Sequence, residues 1–200
     1  DIYVGQDNSL PAGAGSCGVN GPDFSTTNAT QDLTPQQAID FALQSIDQVG
    51  DTVIICDGTY EYTGNIRHYQ GRDLYSGTLK IEADEPGAVT LDGNGHYQLL
   101  NVSYVDLSVS GINFIDGNAY HGGAIYVEND VTDEVFNGGN LTVLDSTFTS
   151  NEARGDDITD DDGSGGAIFV EGSLTINNSI FESNTANIGG GAIFVYGSDY

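Results

Sequence analysis

Three segments of this chain repeat one another, and that repetition limits the fold more than any other feature. The first runs Val105 to Phe114, then Ile115 to Ala119, then Gly122-Gly-Ala-Ile-Tyr-Val127. The second runs Asn140 to Phe148, then Thr149 to Ala153, then Gly165-Gly-Ala-Ile-Phe-Val170. The third runs Ser173 to Phe181, then Glu182 to Ala186, then Gly190-Gly-Ala-Ile-Phe-Val195. Phe114, Phe148 and Phe181 are spaced 34 and 33 residues apart, and Leu107, Leu141 and Leu174 keep the same spacing. A repeat of this length is one supersecondary unit that buries its apolar face only against its neighbours, which is a solenoid. Within a unit the apolar period is two. Leu141 and Val143 share a face with Thr142 opposite, and Ile168 and Val170 share a face with Ala167 and Phe169 opposite. The units are therefore strands joined by turns, each pairing in parallel with its equivalent one coil away.

The corners have their own chemistry. Gly122, Gly165 and Gly190 open the Gly-Gly pairs, where a sharp bend strains other residues. Asn151 and Asn184 close Phe-x-x-Asn, where an amide bonds local backbone or the Asn above it. Between Ala153 and Gly165 the second repeat carries an insert, expected to bulge from one face, and the first repeat carries another at 128–137.

Ahead of the repeats lies a cap. Asp1 to Gly5 reads as a short strand, and an irregular Gly/Ser/Asn-rich loop follows. A helix is predicted over 34–49, with Thr34 as N-cap, Pro35 at its first position and Gln37 completing a capping box. Ile39, Ala42, Leu43 and Ile46 form one apolar stripe, and Gly50 marks the stop. Residues 1–50 then form an N-terminal cap and 51–200 the coils, with the clearest repeats at 105–127, 140–170 and 173–195. The fold expected is all-β: a parallel β-helix whose cap contains one short amphipathic helix.

Composition excludes several functions. Thirty acids against four bases give a formal charge of −26. Such a chain cannot neutralise a run of phosphates, so nucleic acid is excluded as a partner, and anionic membrane surfaces are disfavoured. No stretch has the apolar length of a membrane span. Charge of this size often accompanies disorder, but the repeated apolar strands argue against it here.

Phe148-x-x-Asn151 and Phe181-x-x-Asn184, each followed by Gly-Gly-Ala-Ile, resemble the polymorphic outer membrane protein repeat. The first copy departs from it, with Gly117 where Asn is expected and Asn118 adjacent. The run from Pro35 to Asp40, then Gly50 to Ile55, then Asp57 to Tyr60 is similar to the capping segment of pectate-lyase-like β-helices, where a short helix plugs the open end. The resemblance implies a right-handed coil. It also implies a role in adhesion or surface architecture in bacteria and some eukaryotic algae, and an extracellular or cell-surface location.

Sites are sparse. Catalysis is not expected: Lys80, Arg67, Arg72 and Arg154 stand in no lyase motif, and no hydrolase motif surrounds Asp92, Asp106, Asp116 or Asp145. His68, His96 and His121 lack metal-ligand spacing, and His121 is expected at the surface of a corner. No cofactor is required. Calcium is the one candidate, on Asp156, Asp157, Asp160, Asp161 and Asp162, set against a solvated loop; the insert fails the EF-hand pattern. Cys17 and Cys56 are compatible with one disulfide or with two reduced thiols. N-x-Ser/Thr sequons at Asn28, Asn101, Asn140 and Asn177 are glycosylation candidates if the source glycosylates secreted proteins. Tyr126, Phe169 and Phe194 recur at one position, as an outer ladder suited to sugar or a lateral partner, or as core, the reading preferred.

The sequence ends after a Gly-Gly-Ala-Ile strand without a visible cap. Two explanations are open: a piece of a longer β-helix, or an edge that stacks onto another molecule. The expected function is thus a non-catalytic structural or adhesive surface protein. Its partners would be copies of itself or related β-helix chains, stacked head to tail as in a filament or lying side by side, and surface polysaccharide. The alternative is a polysaccharide-binding or polysaccharide-cleaving protein on the same fold.

Overall fold

A computed structural model describes residues 1–6, 17, 22–25, 33–46, 51–67, 69–70, 77–129, 139–155 and 163–196. The strand pairings among these residues are parallel, and the strands form a parallel β-helix. The first face stacks Thr52–Ile55, Thr78–Ala83, Asp106–Ser110, Leu141–Leu144 and Leu174–Asn177. Ile2–Gly5 and Phe24–Ser25 extend this face at the cap end. The second face stacks Gly58–Glu61, Val89–Asp92, Ile112–Ile115, Thr147–Thr149 and Ile180–Glu182. The third stacks Tyr69–Gln70, Leu100–Ser103, Ile125–Glu128, Ile168–Val170 and Ile193–Val195. Short bridges at Asn118–Ala119, Glu152–Ala153 and Thr185–Ala186 tie the corners between second and third faces.

The period of two explains the core. On the first face Leu107, Val109, Leu141 and Val143 are buried, while Ser108 and Thr142 are half-buried on the other side. Register places like on like: Leu107 beside Leu141, Leu141 beside Leu174, and Phe148 between Phe114 and Phe181. The three phenylalanine rings stack nearly parallel, with centroids 4.7 Å apart at each step. That spacing is the parallel-strand spacing of about 4.8 Å, so backbone pairing and ring stacking reinforce one another.

The helix is Pro35–Gln44, shorter than the 34–49 read from the stripe. Its start follows the sequence, with the Thr34 N–H donating to Gln37 Oε1 at 3.0 Å. Ser45 is its C-cap: the hydroxyl donates to the Phe41 carbonyl at 2.7 Å, and the Ser45 N–H bonds the carbonyls of Phe41 and Ala42. Gly50, the expected stop, lies outside the described residues. The helix packs on Ile2–Gly5, Phe24–Ser25 and the first strands of the second and third faces. Its stripe of Ile39, Ala42 and Leu43 closes the end of the core. A bond between Cys17 and Cys56 ties the cap loop to the end of Thr52–Ile55, with Cα atoms 5.3 Å apart.

One charged group sits under this plug. Asp40 is only 6 % exposed and accepts the Arg67 N–H at 3.1 Å. Burial pushes its carboxyl up to about 6, against the opposing pull of that hydrogen bond and the Arg67 charge. The ordinary value is about 3.9, so the folded chain holds this proton more tightly than the unfolded one. Stability from this group is then present below about pH 4 and lost as pH rises through about 6. Asp40→Asn removes the buried charge and keeps an oxygen for the Arg67 N–H. The variant should exceed the parent in stability at pH 7 by about 1–2 kcal/mol, with the gap closing toward pH 4. Urea denaturation at both pH values checks this, and a gap that does not change with pH contradicts it.

Candidate functional site

The corner between the second and third faces carries most of the chemistry that the fold assembles. Gly122, Gly165 and Gly190 lie there at φ of 53°, 67° and 56°. A Cβ at each would overlap the carbonyl oxygen three residues on, of Ile125, Ile168 and Ile193. Ser150 and Ser183 precede the repeat asparagines and share the left-handed conformation, as does Asp116 in the first copy.

The asparagines form a ladder between coils. Asn151 is fully buried. Its Oδ1 accepts the Gly117 N–H at 2.9 Å, and its Nδ2 donates to the Phe114 carbonyl and to Asn184 Oδ1, both at 3.0 Å. Asn184 repeats the pattern one coil on, accepting the Asn151 N–H and donating to the Phe148 carbonyl. The first copy departs for a steric reason. A Cβ at Gly117 would overlap the Gly123 carbonyl oxygen and lie 2.8 Å from Asn151 Oδ1. Gly117 supplies only the N–H that Asn151 needs.

The aromatic set resolves differently from the preferred reading of the sequence. Ile125, Val127, Ile168 and Val170 take the core, so Tyr126, Phe169 and Phe194 point to the outside. Phe169 is nonetheless only 4 % exposed. The His121 ring lies 4.6 Å from it, with Tyr126 at 5.5 Å and Phe194 at 5.2 Å. His121 is thus a half-buried cover over the outer ladder and not a solvated corner residue. The Tyr126 hydroxyl donates to Glu171 Oε1 at 3.0 Å, and burial together with that carboxylate pushes the phenol well above its usual range.

Beside this ladder opens a cleft of about 530 Å³. Its wall crosses the same corner in four successive coils, through Asn65, then His96 and Gln98, then Asn118 and Tyr120, then Arg154. Asn101, Ala119, His121 and Tyr126 complete the wall. The Gln98 amide is locked, since Nε2 donates to the carbonyls of His121 (2.7 Å) and Gly122 (2.9 Å) while Oε1 accepts Asn101 Nδ2 at 2.8 Å. Sequence reasoning missed this cleft, because its residues are distant in sequence and come together only through coil stacking. The signal available was the coincidence of His96, Tyr120 and His121 with corner positions.

Other candidates fall elsewhere. Asp156, Asp157, Asp160, Asp161 and Asp162, Asn28, His68 and Arg72 lie outside the described residues. Among the described residues no group of three metal-ligating side chains gathers. Asn101 is in the cleft wall with its Nδ2 on Gln98. Asn140 is exposed at a coil edge, where Nδ2 donates to Asp106 and Oδ1 accepts the Ser173 N–H. Asn177 is exposed on the last described coil. Asp92 and Asp145 accept hydrogen bonds at turns, from the Asn94 N–H and from Asn178 Nδ2.

Fold and corner chemistry together define a parallel β-helix solenoid with Asn and Phe rungs. Residues 145–171 and 178–196 match the model for the Chlamydia polymorphic membrane protein repeat. No curated protein and no solved structure gives a match. No helix among the described residues is long and apolar enough to cross a membrane.

The rungs make a quantitative expectation. Asn151→Ala leaves the Gly117 N–H and Phe114 carbonyl buried without their partners, and should cost about 3 kcal/mol in urea denaturation. Gly117→Asn, which restores the family pattern, should also destabilise, by about 2 kcal/mol. A neutral Asn151→Ala or a stabilising Gly117→Asn contradicts the ladder described.

Proposed function

We propose that this chain is a non-catalytic, surface-displayed structural and adhesive module, a rigid arm whose repeated surface does the work. The observation that carries this reading is the in-register stacking of core residues, Leu141 on Leu174, Phe148 on Phe181 and Ile168 on Ile193, through the coils that match the polymorphic membrane protein repeat. Two further facts support it. The Cys17–Cys56 bond is of a kind that persists in oxidising surroundings. A charge of −26 favours solubility and repels polyanions.

A finer form of the proposal is a subunit that joins related chains coil on coil, as in a filament. Ile176 and Val195 on the last described coil pair with the buried Val143 and Val170 yet are 37 % and 46 % exposed, and a further coil stacked there would cover them, whatever chain supplies it. Calcium on Asp156 to Asp162 and glycans on the sequons belong to the same proposal, supported by residue chemistry alone.

Antibody labelling of intact source cells, paired with protease shaving, tests the location. Labelling of unbroken cells and release of fragments by external protease is the expected outcome. Labelling only after permeabilisation overturns the reading.

A further inference from the structure

We propose that the Cys17–Cys56 bond is a latch on the cap, opened by a small thiol that carries no acid. The bond joins residues 39 apart in sequence. Cys17 lies in the loop between Ile2–Gly5 and Phe24–Ser25, and Cys56 follows Thr52–Ile55, the strand on which Ile2–Gly5 is paired. What the latch holds is Phe24–Ser25. That strand is two residues long and pairs with Ile2–Gly5, and no described strand lies beyond it. So short a bridge is weak on its own. Side chains gather around it. The Tyr3 N–H donates to Asp23 Oδ2 and the Asp23 N–H to the Tyr3 carbonyl, both at 2.9 Å, and the Phe24 ring stacks on Phe41 at 6.1 Å. Pro22 and Cys56 Sγ both crowd Gly5, each 3.1 Å from where its Cβ would stand, so loop, bond and strand meet at one glycine. Cutting the bond gives the loop back its freedom. Phe24–Ser25 then leaves, Ile2–Gly5 becomes the open edge of its face, and Phe41 loses the ring stacked on it. The coils from Asp106 onward are paired without the bond.

The sulfurs can be reached. Both cysteines line an open depression of about 230 Å³. Cys17 is half-buried and Cys56 only 7 % exposed, so attack falls on Cys17 Sγ. The incoming thiolate bonds to that sulfur, the Cys17–Cys56 bond breaks, and Cys56 leaves as a thiolate that takes up a proton. A second thiol attacks the mixed disulfide, which frees Cys17 as a thiol and leaves the reductant as its own disulfide. Charge selects the reductant. Asp57 and Asp84 stand in the wall, and no base lines it among the described residues. The loop residues 7–21 contain Asp7 and no base, in a chain of charge −26. A thiolate with further carboxylates is repelled here, and one that carries an ammonium is not.

The latch is independent of where the chain is displayed, so its test shares no outcome with surface labelling. Amide hydrogen exchange on the whole chain, oxidised and reduced, reads it by NMR. Reduction should speed exchange of the Tyr3 and Asp23 amides at least about tenfold. The Leu107 and Leu141 amides, bonded to the next coil, should keep their protection. Cys17→Ser combined with Cys56→Ser should reproduce the reduced pattern with no thiol present. Cleavage rates would then be compared for cysteamine and glutathione, each scaled to its rate on a small free disulfide. Cysteamine should be faster after scaling, and the surplus should shrink at about 1 M salt, where charges are screened beyond about 3 Å. The proposal is overturned if cap and coil amides speed up alike, or if the cap amides do not change. Failure of both thiols to cleave the bond in the folded chain, or a surplus that is absent or indifferent to salt, also overturns it.

Discussion

Parallel pairing of each residue with its own counterpart one coil away is the constraint on which the rest of this structure depends. It forces side chains into columns of like on like. A column is stable only if its members tolerate a neighbour at strand spacing. Phenylalanine satisfies this by stacking, as Phe114, Phe148 and Phe181 do. Asparagine satisfies it by donating with one end and accepting with the other, so that Asn151 and Asn184 bond both backbone and each other. Aspartate in such a column would place charge on charge, and the repeat instead pairs Asp145 with Asn178 at 2.6 Å and Asp106 with Asn140 at 2.9 Å. Two aspartates of the repeat are accommodated in this way, whereas nearer the cap Glu61 and Asp92 lie side by side in register.

The same constraint explains where variation is allowed. Strands cannot gain or lose residues without shifting every side chain to the other face. Corners can, and the inserts read at 128–137 and 154–164 begin at the last residue of one strand, Glu128, and just past the end of another, Ala153. Corners stacked above one another also build surface that no single coil contains. The cleft wall draws on residues from Asn65 to Arg154, carried to one side by coil stacking. Rigidity of the coils fixes the Gln98 amide against two backbone carbonyls, and through it the orientation of Asn101. The cap acts at the opposite level. It closes a core that parallel pairing alone leaves open, and it does so with an apolar helix stripe that also covers one carboxylate, Asp40.

Much of the fold was legible because it rests on periodicity. The spacing of Leu107, Leu141 and Leu174, and the alternation within each strand, point to parallel coils without further information. What was not legible depended on neighbours that sequence does not order. Alternation correctly places Phe169 opposite Ile168, yet gives no sign that His121 folds over it. The apolar stripe runs on to Ile46, but the helix ends at Gln44 with Ser45 as its C-cap. Gly117 looks like a lapse in the repeat until the Gly123 carbonyl is seen to occupy the space. The cleft is the extreme case, since its residues share no local motif.

Ring-to-ring nuclear Overhauser contacts among Phe114, Phe148 and Phe181 test the stacked register most directly. Selective labelling of phenylalanine in the whole chain would isolate them. Phe148 should show cross-peaks to both other rings, at 4.7 Å on each side. Phe114 and Phe181 should show none to each other, being two rungs apart at about 9–10 Å. Loss of either Phe148 contact, or a direct contact between Phe114 and Phe181, would contradict coil-on-coil register and with it the ladder and the cleft.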